Sequence, residues 1–481
     1  MTETTTEPDD LLARLHALVG TEGPPTTPRH PVDEALIAHW CDAMGDDNPV
    51  YVDPDAAAAS LHGGLVAPPA TLDIWDRGGL KHVRSADSPR GKALALLEEA
   101  GFTSVVAVNS ELELQRYVRP GEVLSNVEVL DAVSEEKATG LGVGHFVTTR
   151  HRYSTAEGEH VGDLLFRVLK FKPGTGKAAP AAAEGAPAPP DPDPALRPRP
   201  AINLDNEFFW EGARRHELRI QQCQGCQALH NPPTPRCPDC GSFDQGWIVS
   251  SGRGHLYSFA VPRYPQVRGF RYPVLVGLIE LEEGARLVSN VIGVTRDQLE
   301  VGMPLEVCWL DSHAAQVEGE TDARGSITLP QFRPATPARR ETTLAATEVA
   351  EGDRLPLFAV PVTTTLVVAG ALATRDFTEV HHDRDVAVKA GSKDVFMNIN
   401  TTLGLTERYV TDWAGPEAQV RALRVRLGAP NYPGDTMTFS GTVQSADPAT
   451  GEVIVALQGA NDLGAHVTGT VELTLPTQEV V

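Results

Sequence analysis

Long hydrophobic runs are missing from this chain of 481 residues. The longest apolar stretch, around Leu366–Ala373, is far short of the roughly 18 residues that suggest a membrane span. Positive charge is scarce too: 41 Lys and Arg stand against 64 Asp and Glu, a formal charge of −23. That balance argues against a domain that grips nucleic acid by bulk electrostatics, because phosphate binding needs a basic face. The first ten residues are acidic and polar and lack the basic and apolar regions of a secretory signal, so a cytoplasmic location is expected. Cysteine is also sparse. Of six in all, four fall within an 18-residue window, and in a cytosolic chain such clustering reads as metal rather than disulfide. Cys41 and Cys308 read as packing residues.

What is present suggests about three domains, at roughly 150 residues each. An Ala/Pro tract from Gly174 to Pro200 cannot bury a core and reads as a semi-extended tether. A weaker Pro-rich break lies near Arg333–Thr342. The expected division is therefore 1–174, a linker over 175–200, 201–335, a linker over 336–350, and 351–481.

The first and third segments share an order of elements. The first has helix-compatible stretches at Asp10–Leu18 and Asp33–Met44, an acidic loop, and a Gly63–Ala70 turn leading to a further helix. Period-two stretches follow at 105–114, 123–129 and 144–153, punctuated by Arg119-Pro-Gly-Glu122. The third has a β-rich lead-in at Val362–Val368, a loop, and a helix around Asn398–Trp413. Strands at Val420–Leu427 and Thr436–Ser445 enclose the turn Tyr432-Pro-Gly-Asp435.

The two loops carry one register. Asp46-Asp-Asn48-Pro-Val-Tyr51-Val-Asp53 and Asp376-Phe-Thr-Glu-Val-His381-His-Asp383 each set an acid five residues before a ring, with another Asp two residues later. Only the second ring is an imidazole, the side chain that titrates near neutral pH. One copy can do acid–base chemistry; the other, with a Tyr, is a poor base.

In the middle segment, Cys223-Gln-Gly-Cys226 and Cys237-Pro-Asp-Cys240 form two knuckles separated by ten residues. Four thiolates complete a tetrahedral shell with no open position. Such a site is structural and suits zinc, though iron accepts the same ligands. A helix near Asn206–Ala213 precedes the knuckles. Short β stretches at 255–261, 274–280, 285–293 and 304–310 follow them and suggest a small barrel.

Residues Gly45–Asp53 resemble the MaoC-like hydratase/dehydratase family, the (R)-specific enoyl-CoA hydratases, whose motif is close to Gly-Asp-x-Asn-Pro-x-His-x-Asp. Tyr51 replaces the His in the first copy. The second copy keeps Asp376 and His381 but has Thr378 where the family has Asn. The resemblance covers about 10–174 and 350–478. It implies hot-dog folds that pair around a CoA thioester substrate, with Asp376 and His381 catalytic and the backbone N–H groups of Asn398 and Ile399 as oxyanion donors. No redox cofactor is implied. A local basic patch suffices for CoA phosphates.

The middle segment resembles the DUF35-type family, a rubredoxin-like zinc ribbon with an OB-fold. The whole chain is similar to the two subunits of actinobacterial steroid side-chain enoyl-CoA hydratases, fused. This implies an α+β protein of two hot dogs flanking a ribbon and barrel. The implied partners are a thiolase-like aldolase docked on the zinc/OB module and a second copy of the chain in a homodimer, with neither nucleic acid nor membrane. A non-catalytic acyl-CoA-binding scaffold is the alternative, and Thr378 is the feature that favours it.

Overall fold

The computed structural model describes residues 8–26, 28–80, 85, 87–176, 196–267, 269–312 and 326–477. Most of the 175–200 tether lies outside them. The chain divides into two compact units: Met1–Ala182 with Pro337–Pro356 and Val360–Val481, and Ala183–Thr336 with Leu357–Ala359. No helix among the described residues is long and apolar enough to cross a membrane.

The N-terminal half of the first unit opens with α1 (Pro8–His16) and α2 (Glu34–Met44). The Asp33 carboxylate accepts from the Leu36 N–H at 2.9 Å to cap α2, and Gly45 ends it at φ 63°, a left-handed conformation that glycine adopts without steric cost. The short helices α3 (Pro49–Val52) and α4 (Pro54–Ala59) carry the first register; each starts on proline, behind the caps Asn48 and Asp53. The helix expected after Gly63–Ala70 is divided. A single 3-10 turn spans Pro69–Thr71, and among the described residues the next helix is α5 (Pro89–Glu99). The Gly78-Gly79 pair between them withdraws helix propensity.

Strands β1 (Ser104–Leu114), β2 (Leu124–Val133), β3 (Lys137–Ala138), β4 (Gly142–Thr155) and β5 (His160–Pro173) complete this half. α1 and α5 pack on them through Leu15, Ala93, Leu97, Leu130 and Val168.

The second unit begins with α6 (Glu207–Ala213). A three-stranded sheet follows, of β6 (Arg219–Cys223), β7 (Leu229–His230) and β8 (Gln245–Val249), in the order β7-β6-β8. Then come β9 (Arg253–Ala260), β10 (Val276–Leu281), β11 (Arg286–Asn290), β12 (Pro304–Ser312) and β13 (Ile327–Pro334), in the order β11-β10-β9-β12-β13. A bridge of Val291 to Phe332, with the Ile292 N–H donating to the Phe332 carbonyl at 2.8 Å, closes these strands into a barrel. Leu256, Ile279, Leu305 and Phe332 fill it. β13 runs into the region read from sequence as a break.

The C-terminal half comprises β14 (Arg354–Pro361), α7 (Thr364–Ala373), α8 (Arg384–Lys389), α9 (Ile399–Ala414), β15 (Gln419–Leu427), β16 (Thr436–Ala446), β17 (Glu452–Asn461) and β18 (Gly464–Thr474). The expected β lead-in at Val362–Val368 is instead helical from Thr364. The Thr363 hydroxyl accepts from the Leu366 N–H at 3.0 Å, and this cap and the apolar run override local β propensity.

The two halves share one ten-stranded sheet, β14-β16-β17-β18-β15-β1-β5-β4-β2, with β3 on β4. Its seam is the antiparallel pair β1–β15, in register from Asn109 opposite Arg426 to Glu113 opposite Ala422. The hot dogs therefore pair within one chain. Helix α9 packs on β15 and β18, and 14 of its 16 residues are buried. Many of those are polar, so each requires a partner. Several find theirs across the halves.

Candidate active site

Asp376 follows α7, and the residue before it, Arg375, is held at φ 53°. Gly45 has the equivalent place in the first copy. A side chain held there costs about 1 kcal/mol or more. The Asp376 carboxylate is gripped on both oxygens. Oδ1 accepts from the Thr378 hydroxyl at 2.7 Å and its N–H at 3.3 Å, while Oδ2 accepts from the Asn398 amide at 3.1 Å. Burial pushes its pKa up, but Arg77, His381, Thr378 and Asn398 outweigh that and hold it below the usual carboxylate value.

His381 sits on a 3-10 turn, Glu379–His381, and is 8% exposed. Its Nδ1 lies 2.7 Å from the Phe396 carbonyl oxygen. A carbonyl can only accept, so Nδ1 carries the hydrogen and Nε2 of the neutral ring presents a lone pair. The Phe396 ring packs edge-on at 4.9 Å. Nε2 stands 3.6 Å from Asp376 Oδ2, too far for a direct hydrogen bond. Two acceptors at that spacing suit one water that donates a hydrogen to each.

The family's missing amide is thus present. It arrives from Asn398, 22 residues further on, rather than from position 378. Asn398 also caps α9, its side-chain oxygen accepting from the Thr401 N–H at 2.9 Å. Asn398 and Ile399 therefore lie at the helix start, where backbone N–H groups lack intrahelical acceptors and the helix dipole is positive.

The first copy is closed. Asp46, Asn48 and Tyr51 are 4%, 1% and 3% exposed. The Tyr51 hydroxyl donates to Glu407 Oε1 on α9 at 2.9 Å, and the Ala70 N–H donates to Oε2 at 2.7 Å. Burial and the Asp46 charge push the Glu407 pKa up to about 8, against the Ala70 and Tyr51 hydrogen bonds and Arg339. Arg339 pairs with Asp46, with Asp47 at 3.0 Å and with Asp412 at 2.5 Å. Tyr51 is a buried hydrogen-bond donor.

In the second unit the four cysteine sulfurs lie within 4.8 Å of one another. Cys223 Sγ is 3.5 Å from Cys240 Sγ, and Cys226 Sγ is 3.6 Å from Cys237 Sγ. A tetrahedron with zinc–sulfur bonds of about 2.3 Å has edges of about 3.8 Å, so the donor set fits zinc. Each knuckle turns back on itself: the Gln227 N–H donates to the Cys223 carbonyl at 2.8 Å, and the Gly241 N–H to the Cys237 carbonyl at 2.9 Å. Both turning residues have positive φ, 64° and 77°. Four protein ligands make this a structural site.

A paired hot-dog unit with an acid–imidazole loop, joined in sequence to a zinc ribbon and an OB barrel, is the class of protein these features define. Family models match accordingly: a FAS1-like dehydratase domain region over 17–164, a ChsH2 rubredoxin-like zinc ribbon over 210–244, and a ChsH2 C-terminal OB-fold over 247–310. A probable enoyl-CoA hydratase alpha subunit from Thermomonospora curvata is 40% identical over 333 residues, 68% of this chain and 98% of that protein. The alpha subunit of the 3-oxo-4,17-pregnadiene-20-carboxyl-CoA hydratase of Mycobacterium tuberculosis is 38% identical over 61% of this chain and 92% of its own length. The beta subunit is 56% identical over 23% and 84%. A solved MaoC-like dehydratase shares the fold at TM-score 0.51 and 17% identity, over 96% of this chain and 99% of that one. The chain belongs to the family of MaoC-like enoyl-CoA hydratases that carry a zinc-ribbon and OB-fold module. It is similar to both subunits of a two-subunit hydratase at once.

Proposed function

We propose that this protein adds water across the C=C of a 2-enoyl-CoA with a bulky, steroid side-chain acyl group, and that Asp376 and His381 carry the reaction. The observation that supports this most is the 3.6 Å gap between Asp376 Oδ2 and His381 Nε2, two acceptors set to share a water. Asp376 orients that water and His381 Nε2 takes its proton as the oxygen bonds to the β-carbon. The π pair moves toward the thioester, whose oxygen is held by the N–H groups of Asn398 and Ile399. The proton on His381 then goes to the α-carbon, so one water is added and nothing is oxidised or reduced.

The bulky acyl group is supported by the relatives' substrate and by the N-terminal half, where a three-residue turn and a separate helix stand in place of a continuous sixteen-residue one. The zinc/OB module serves to dock a thiolase-like aldolase that consumes the product, and the chain forms a homodimer. A DUF35 domain-containing scaffold protein of Methanothermobacter thermautotrophicus is 30% identical over 99 residues and 72% of its length, which supports a docking role. Co-elution with such an aldolase tests the first claim, and light scattering the second.

Asp376→Asn and His381→Ala should abolish hydration of the enoyl-CoA, followed at the thioester-conjugation absorbance, while Tyr51→Phe loses less than tenfold. Unimpaired turnover in His381→Ala removes the mechanism, whereas an absence of hydration by the wild type with an acyl chain it binds favours the binding-scaffold alternative. Against that alternative, Thr378 and Asn398 together supply the donors that Asp376 needs.

A further inference from the structure

The half without the dyad sends a guanidinium toward the half that has it. Arg77 follows the turn that begins at Pro69–Thr71, and its Nη1 donates to the Thr374 carbonyl at 3.3 Å, two residues before Asp376. Its Nη2 pairs with Asp73 at 2.5 Å. Asp73 in turn accepts from the Asn400 amide at 3.2 and 3.4 Å, in the first turn of α9. Thr374 is tied in a second way, since its hydroxyl accepts from the Asn398 amide at 2.8 Å, the same amide that holds Asp376. One network therefore joins the N-terminal turn to the loop and the helix start that frame the dyad.

We propose that Arg77 is a positioning residue for Asp376, clamping the Thr374–Asp376 turn and setting a positive charge against the carboxylate, so that each half contributes to one active site. This deepens the hydratase reading and rests on it. The groups that face Asp376 are Arg77 from the N-terminal half, His381 and Thr378 from its own loop, and Asn398 from the start of α9. Around Arg77 stand Asp73 and Asp76 from its own segment and, on β4, Tyr153. Among the charged groups, Arg77 does most to offset the burial of Asp376. Burial works against the Arg77 charge as well, but Asp73 and Asp376 outweigh it. The charge is therefore retained where it is needed.

The test is the ionisation of Asp376 itself, followed by carbon-13 NMR of the side-chain carboxyls in the full chain labelled at aspartate, with Asp376→Asn assigning the signal. On the same preparations kcat and KM are measured for enoyl-CoA hydration. The acid limb of the rate profile does not serve, because the base His381 must be neutral there as well. An opposite charge nearby moves a carboxylate by about one to three pH units. Arg77→Gln should raise the Asp376 midpoint by about one unit or more and lower kcat at pH 7 about 10- to 100-fold, with KM changed less than threefold. Arg77→Lys should restore the midpoint while recovering only part of kcat. Asp73→Asn, which strips the counter-charge from Arg77, should move the midpoint the other way; it also serves if Arg77→Gln does not fold. A role confined to stability lowers the rate and leaves the midpoint in place, and an unmoved midpoint in Arg77→Gln and Asp73→Asn overturns the inference. His381→Ala in the hydration assay keeps the two claims apart. If it stays active the dyad reading fails; if it is dead while the Asp376 midpoint stays put in the Arg77 and Asp73 variants, only the role of Arg77 fails.

Discussion

Replacing Glu407 by glutamine should flatten the pH dependence of the first unit's stability. Glu407 is 1% exposed on α9, and the environment raises its pKa from 4.5 to about 8. A carboxyl raised in the folded state holds its proton more tightly there than in the unfolded chain. Its stabilising contribution is complete below pH 4.5 and is lost as pH climbs through 8. At about 1.4 kcal/mol for each pH unit, the loss over that window is on the order of 5 kcal/mol, and between pH 5.5 and 8 on the order of 3 kcal/mol. Glutamine is neutral at every pH, and its amide can serve the same positions, accepting from the Ala70 N–H and donating to the Tyr51 oxygen. Thermal unfolding of wild type and Glu407→Gln at pH 5.5, 7 and 8.5, read by circular dichroism, gives the comparison. Wild type should lose several degrees relative to the variant as pH rises. Parallel curves for the two proteins would refute the assignment of a neutral, buried Glu407.

Three further outcomes follow from the geometry. Purified protein should hold one zinc per chain by elemental analysis, and strong chelation or Cys237→Ser should unfold the ribbon, seen as protease cleavage within 210–249. Asn398→Ala should cost about 1 kcal/mol through the lost helix cap but depress hydration well beyond that, because the same amide grips Asp376; denaturation and kinetics on one preparation separate the two. Gly404→Ala should destabilise by about 1–3 kcal/mol, since a Cβ there meets Trp40 at 2.8 Å and Met44 Sδ at 2.9 Å.

The sequence discloses whatever depends on short-range spacing. The two cysteine knuckles, the Asp–x4–His loop and the Gly-Asp-x-Asn-Pro register each lie within a few residues, so their geometry is local and legible. Helix α9 was legible too, as the helical stretch around Asn398–Trp413. The Asn398–Asp376 contact was not, because it joins a helix start to a loop 22 residues earlier, and Thr378 drew attention to the wrong position. Arg77 was hidden more deeply. It belongs to no motif, and its role depends on a fold that brings residue 77 to residue 374. The helix at Thr364 was misread as strand because β-branched residues there carry a local preference that the cap and the burial of Val367 and Ala371 override.

The seam between β1 and β15 bears on how the protein behaves on dilution. Where two halves are separate chains, their pairing follows mass action and the shared site falls apart as concentration drops. Here the partner half is always present at an effective concentration set by the intervening chain. Specific activity should hold constant down to nanomolar enzyme. Parting β1 from β15 would expose two strand edges at once, each a row of unsatisfied N–H and C=O groups open to any passing strand.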